Sequence, residues 1–358
     1  MTLDLAPLAN APRLLFTVPL APLQGQRFQP TGFPGLGAAT FRSARGDCLL
    51  VESAQSMANR LELTTWNAEA SDLAPVLKGL SHVRVLRPDG TFLTDSILES
   101  HRLNSPYVLN AKFENEIYFE VLGQRLKAFE TGPIDRKALA ATLLALDVCS
   151  LIHGVFFSAK INKKTLAGGR LRVARAMSAF IEADGVRIAA SGGVKNDHVN
   201  PSGDTDVGFG NVPFARDEFT ADSISLYVNI DLAQIRGYGL SDDAVRLLQL
   251  LALYKLRTLL DGNLRLRTAC DLRVNAETVV AAAPNGFELP PLTAIADDIK
   301  VLLAKPELAG LMKVTEVVFA DKIEPKNASA QGATAAAAAA AANENADDNG
   351  NDANGDEA

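Results

Sequence analysis

Cysteine is scarce in this 358-residue chain: Cys48, Cys149 and Cys270 stand far apart. No C-x-x-C pair exists, which excludes a disulfide framework and a cysteine zinc knuckle. An odd count fits a reducing cytoplasm. Histidine is equally sparse, at 82, 101, 153 and 198, with no H-x-x-x-H spacing. His153 opens an apolar stretch and reads as a core histidine with its hydrogen bonds satisfied. Phosphate and nucleophile motifs are missing as well: there is no G-x-x-x-x-G-K-[ST] and no G-x-S-x-G. "GLGAAT" at 35–40 lacks both the preceding strand and the third glycine of a dinucleotide loop, so no cofactor is expected. The N-terminus has an acid at position 4 and no basic segment, which argues against a signal peptide. The apolar run 138–159 is broken by Asp147 and His153. It reads as a buried helix followed by a core strand, not as a membrane span. A cytoplasmic protein without membrane contact is expected.

One sign of charge is absent from each of two segments. After Lys326 there is no Lys or Arg, but there are six acids, which account for most of the net charge of −7. With eight consecutive alanines at 335–342, residues 327–358 read as a disordered, solvating tail, and residues 1–326 as the folded body. Conversely, no Asp or Glu occurs between Asp147 and Glu182, while Lys160, Lys163, Lys164, Arg170, Arg172 and Arg175 all do. Solvated faces normally mix signs, and six cations without an acid repel one another unless a polyanion neutralises them. Gly168-Gly169 offers backbone N–H groups to a phosphate, and Phe156 or Phe157 offers a ring to a base. The strip therefore points to single-stranded nucleic acid, with an acidic protein partner as the competing reading.

The hydrophobic pattern mixes strands and helices, so the fold class is α+β. Strands are expected at 13–20 and in "DSISLYVNIDLAQI" (222–235), and also at "NEIYFEVLG" (115–123). Hairpins are expected at 82–96, turned by Pro-Asp-Gly, and at 170–193, turned at Asp184-Gly185. Helices are expected over 49–66, over 135–152, and most clearly over 241–260, opened by Ser-Asp-Asp and closed by Asp261-Gly262. Residues 192–214, with five glycines and few core formers, read as a long exposed excursion. Its Asp197, Asp204 and Asp206 lack calcium-loop spacing, and a solvated loop is the preferred reading. In the 49–66 helix, Gln55 and Asn59 share a face and Ser56 and Arg60 form the adjacent pair. That polar row reads equally well as a phosphate-binding edge or as a solvent side.

Three stretches carry a family resemblance: "QGQRFQPTGFPGLGAATF", "LVESAQSMANRLE" and "DSILESHRLNSPYV". With "GGRLRVARAMSAFIEADGV" and "ASGGVKNDHVNPSG", they make residues 13–320 resemble the backbone subunit of Cascade-type CRISPR effector complexes, in the type I-U/I-G variant. The tail lies outside the pattern. The resemblance implies a modified RNA-recognition (ferredoxin-like) palm of the repeat-associated RNA-binding superfamily, with insertions and a protruding thumb. It implies guide RNA, target DNA, further copies of the chain and other effector subunits as partners. It also implies a head-to-tail filament, which is an interface that does not close. The expected RNA contacts are Arg27, Gln55, Ser56, Asn59, Arg60, His101, Arg102, the six cations of the strip, and Lys195, Asn196 and His198. The thumb is expected at 192–214, with the 82–96 hairpin as second choice. Similar type III subunits cut RNA with a loop Asp and type I subunits do not. No catalytic residue is therefore expected, and Asp197 and Asp206 are the candidates if cutting occurs.

Overall fold

The structure is a computed structural model that describes residues 2–33, 37–129, 132–169, 171–262 and 264–320. The tail 327–358 and Arg170 lie outside the described residues.

In chain order the elements that position the site are β1 (Leu14–Pro22), β2 (Thr40–Ser43), β3 (Gly46–Glu52), α1 (Ala54–Leu63), β4 (His82–Leu86), β5 (Phe92–Asp95), α2 (Tyr118–Arg125), α3 (Arg136–Leu146) and α4 (Cys149–His153). There follow β6 (Lys160–Ile161), β7 (Lys164–Thr165), β8 (Met177–Asp184), β9 (Arg187–Lys195), β10 (Val212–Thr220), β11 (Ser223–Ile230), α5 (Asp242–Asp261), β12 (Leu264–Arg267), β13 (Cys270–Val274), α6 (Leu292–Leu303) and β14 (Val314–Val318).

An eight-stranded antiparallel sheet runs β12-β13-β1-β11-β8-β3-β2, with Ala281–Ala283 also pairing β1. Its heart, β13-β1-β11-β8, has the order 4-1-3-2 of a ferredoxin-like βαββαβ palm, with α1 and α5 as the two crossover helices. The fold class is α+β, as expected. Burial alternates along β8 and β11, so one sheet face meets the helices and the other faces water. A second, five-stranded sheet holds β4, β5 and β14, with β4 and β14 parallel. Helix α5 contacts both α1 and α6 and is buried almost all round. Ser241 caps it by accepting from the Ala244 N–H, and Asp242 and Asp243 in its first turn suit the helix dipole.

Charges are locked into this core. Arg102 donates to Glu62 from Nε at 2.6 Å, and His82 Nδ1 lies 2.6 Å from Asp95. Lys255 is fully buried, with Cys149 Sγ 3.5 Å from its Nζ. Burial pushes the Cys149 thiol up to about 11 and raises the Asp147 carboxyl above its ordinary value. Asp147 also divides the expected 135–152 helix, because its carboxylate accepts from the Cys149 N–H and the Ser150 hydroxyl and so starts α4.

Sequence readings change at several places. Residues 49–52, expected to open the 49–66 helix, are the end of strand β3, and α1 starts only at Ala54. The expected 222–235 strand stops at Ile230, and Leu232–Gly237 form a short helix that Asp231 caps. Residues 118–125 form helix α2, not a strand. No hairpin turns at Asp184-Gly185: β8 pairs with β11 and β3, and the chain leaves the sheet there to begin β9. His153 is buried, but neither ring nitrogen has a hydrogen-bond partner among the described residues, so its hydrogen bonds are not satisfied. Among the described residues no helix is long and apolar enough to cross a membrane.

Candidate nucleic-acid interface

The basic strip folds into small pieces at the edge of the core. Phe157 is buried and anchors it, while Phe156 stays exposed. Val155–Phe156 pairs with Arg172–Val173, and β6 pairs with β7 across an Asn162-Lys163 turn. Both turn residues have positive φ, 50° and 65°, which suits a tight two-residue hairpin. This geometry projects Lys163 from the tip, with Lys160 exposed on the adjoining strand. Lys164 is different. Glu120 of α2 accepts from its ammonium at 3.0 and 3.2 Å, and the Phe129 ring lies 5.4 Å away. The strip contains no acid in sequence, but folding brings one to it. Arg172 is exposed and, with Arg136, lines an open cleft of about 430 Å³ floored by Leu139 and Leu171. Arg175 donates to the Ala54 carbonyl at 3.3 Å, and burial lowers its pKa. Gly168 and Gly169 have φ of 64° and 73°, and a Cβ at either would meet nothing within 4 Å. The pair serves the left-handed backbone there.

The remaining expected contacts divide into free and committed groups. Gln55 is exposed, and Ser56 and Asn59 are half-buried on α1, whose cap is Ser53. Arg60 is occupied: it donates to the Arg265 and Leu266 carbonyls and lies 3.6 Å from Glu52, tying α1 to β12. Arg102 is only 6 % exposed and its guanidinium is committed to Glu62, which corrects its placement on an RNA-facing surface. Its neighbour His101 is exposed. Arg27 is exposed and lies 3.4 Å from Glu218 at the base of β10.

Strands β9 and β10 form nine consecutive cross-strand pairs, Arg187↔Thr220 to Lys195↔Val212; among the described residues the one further pairing is a single bridge from Phe28 to Phe219 at the root. At ~3.3 Å per residue the ribbon is about 30 Å long. It leaves the palm between β8 and β11, with Arg187 and Asp222 paired at its root, 2.8 Å apart. The expected excursion 192–214 is the outer half of this ribbon and its tip, whereas the 82–96 hairpin is part of the second sheet. Lys195, Asn196 and His198 are exposed on the ribbon, as are Ile188, Val194, Val199, Val207, Phe209 and Phe214. Asp197 organises the tip. Its carboxylate accepts from the N–H groups of Val199, Asn200 and Gly210 at 2.8–2.9 Å, and those bonds hold it below the ordinary carboxylate value. Asp204 accepts from the Asp206 N–H. Among the described residues no group of three or more His, Cys, Asp or Glu is placed to hold a metal ion.

The sequence reading missed Glu120, because α2 was read as a strand. It also missed the water-facing side of the palm sheet, whose residues are spread over strands far apart in sequence. There Phe180 and Tyr227 stack with centroids 5.2 Å apart and planes at 25°.

The family model for CRISPR-associated protein GSU0053 matches residues 14–188, from the start of β1 to the root of the ribbon. Over that stretch the chain is similar to this CRISPR-associated family, in keeping with the resemblance read from the sequence. A chain of the solved "CRISPR RNA-guided surveillance complex, pre-nicking" is similar at 13% identity over 68% of this chain and 70% of that one, with a TM-score of 0.31. No curated protein matches the chain at a significant level.

Proposed function

We propose that this chain is the guide-RNA-binding backbone subunit of a Cascade-type CRISPR effector complex of the type I-U/I-G variant. The match to a CRISPR-associated family over residues 14–188 carries the reading. Four exposed cations of the strip and ribbon, with neither an ion pair nor a side-chain hydrogen bond among the described residues, support it: Lys160, Lys163 and Arg172 on the strip and Lys195 on the ribbon. Such contacts hold phosphates and read no sequence, which suits a subunit that accepts any guide.

In this reading copies of the chain stack head to tail along the guide. The ribbon is the thumb that parts the guide into segments for pairing with target DNA, and other effector subunits cap the assembly. The subunit positions RNA and does not cut it. Asp197 uses its carboxylate to brace the tip, which leaves it a poor metal ligand. The test is the nucleic acid that co-purifies with the native complex. A high ratio of absorbance at 260 to 280 nm and a discrete RNA on a denaturing gel are expected. Purification free of RNA, with the strip bound to an acidic protein, would replace this reading with that of a protein-docking module. Metal-dependent cutting of target RNA lost in Asp206→Ala or Asp197→Ala would make the chain a type III-like nuclease.

A further inference from the structure

The open cleft beside the basic strip has an apolar component that phosphate contacts do not use. Leu139 and Leu171 are buried beneath it, and Ile134 at its rim is 45 % exposed. Arg136 and Arg172 line it, and both are exposed. Neither has an ion pair or a side-chain hydrogen bond among the described residues. The neighbouring acid, Asp135, accepts from the Lys137 and Ala138 N–H groups and so is engaged with the start of α3. Guanidiniums pair well with carboxylates, and an apolar floor takes small apolar side chains. The cleft therefore fits a chain segment that offers both.

This chain carries such a segment. Residues 335–342 are eight alanines, and the six acids that follow Lys326 all lie between Glu344 and Glu357 with no cation among them. The body also delivers it to the right side. Just after β14 the Phe319 N–H donates to the Leu86 carbonyl at 2.9 Å, and the Phe319 ring meets the Tyr107 ring with centroids 5.2 Å apart. Three residues before Tyr107, the Asn104 side chain accepts from the Ala159 N–H at 3.2 Å, next to Lys160. Phe156 of the strip in turn pairs with Arg172. A coil of roughly 24 residues, the separation of Ala320 and Glu344, spans about 25–30 Å. Tethering at that length gives an effective concentration of about a millimolar, so even a seat of millimolar affinity is filled about half the time.

We infer that the cleft lined by Arg136 and Arg172 is a seat for the chain's own acidic segment, which covers part of the basic strip when no nucleic acid is bound. Carboxylates from 344–357 meet the two guanidiniums and alanines from 335–342 lie on the floor. This rests on the proposed RNA-binding role, because Arg172 belongs to both contacts and cannot serve RNA and the tail together. A single strand carries a charge on every nucleotide, against six acids spread over 344–357, so RNA displaces the tail.

The experiment uses the full chain, with all six tail acids replaced by Asn or Gln in one variant and Arg136→Gln in another. Melting by circular dichroism checks the fold. Carbodiimide cross-linking of dilute protein at low salt, read by mass spectrometry, should join tail carboxylates to Lys137, Lys160 or Lys163. An equal mixture of isotope-labelled and unlabelled chains should show these links within one chain. They should fade in Arg136→Gln and on addition of a 20-nucleotide RNA. At 50 mM salt the neutralised tail should bind that RNA about twofold more tightly, as release of a half-filled seat requires. Loss of that gap by 200 mM moves the salt slope by at most about 0.5. Arg136→Gln should tighten binding only while the tail keeps its acids. Links spread evenly over Lys78, Lys195 and Lys300, links that persist under saturating RNA, or equal RNA affinity with and without the acids would overturn the seat. Links found only between chains would overturn it in favour of a neighbour's tail. If wild type and the neutralised tail both fail to bind RNA while the links form, the RNA-binding role fails and the seat stands.

Discussion

Counting the free cations gives a quantitative expectation for salt. Lys160, Lys163, Arg172 and Lys195 are exposed and have neither an ion pair nor a side-chain hydrogen bond among the described residues, whereas Lys164 is paired with Glu120, Arg102 with Glu62, and Arg175 donates to the Ala54 carbonyl. Each phosphate neutralised on a single strand contributes about 0.7 to the slope of log K against log salt. Four contacts give about 2.8, so affinity should fall about 50-fold between 50 and 200 mM salt. Replacing Lys163 and Lys195 by alanine should leave a slope of about 1.4 and a fall of only about sevenfold. Lys164→Ala should change the slope far less than one full contact. The assay is fluorescence anisotropy of a labelled non-cognate 20-mer at five salt concentrations. A wild-type slope in the double variant would remove both lysines from the RNA path. An equal flattening by Lys164→Ala would refute the use of the Glu120 pair to separate free from committed cations.

Replacing residues 196–211 by Asn-Gly should leave melting unchanged, because the tip is exposed and β9 and β10 still pair up to Lys195↔Val212. It should also abolish the regular spacing of chemically reactive guide bases; a retained spacing would place the thumb elsewhere. His153 is buried with unpartnered nitrogens and burial lowers its pKa well below 6.5, so it stays neutral in the fold and charges on unfolding. Its contribution is therefore complete above pH 6.5 and is lost as pH falls towards the folded value, at up to ~1.4 kcal/mol per pH unit. His153→Leu should be as stable as wild type or about 1–2 kcal/mol more stable, and urea titrations at pH 7.5 and 5.5 should show a weaker pH dependence; an equal dependence would refute this. Asp197, lowered by its three backbone donors, should brace the tip at neutral pH, with that bracing lost as pH falls below the ordinary 3.8. Asp197→Ala should raise amide hydrogen exchange at Val199, Asn200 and Gly210 at pH 7 without moving global melting, and unchanged exchange at those amides would count against it.

Local signals were legible where one segment settles its own structure. Ser241 and Asp261-Gly262 bracket α5 because caps act within a turn, and Pro88-Asp89-Gly90 turns β4 into β5. The ribbon was legible as glycine-rich sequence with few core formers. The failures involve distant partners. Ile117, Tyr118, Phe119 and Val121 favour a strand by type, yet Tyr118, Phe119 and Leu122 bury one side of a helix, and tertiary packing overrode propensity. Asp184-Gly185 does turn, with Gly185 at φ 63°, but the partner of β8 lies beyond the whole ribbon. For the candidate site, the strip's sequence singled out Lys160, Lys163 and Arg172, which the fold leaves exposed. It could not reveal that Glu120 meets Lys164, that Glu62 holds Arg102, or that Phe180 and Tyr227 share a row.

The ribbon's rooting has a consequence for how such a protein can vary. Both of its strands spring from the paired ends of β8 and β11, where Asp184 is opposite Ser223, and among the described residues its outer pairs join no other sheet. Its length is therefore independent of the palm. Inserting two residues in each strand would lengthen its reach by about 7 Å and return every side chain to its original face, whereas inserting one in each would turn the two faces over. The projection is a ruler whose graduations come in steps of two, and its length can be reset by insertion or deletion without renegotiating the core.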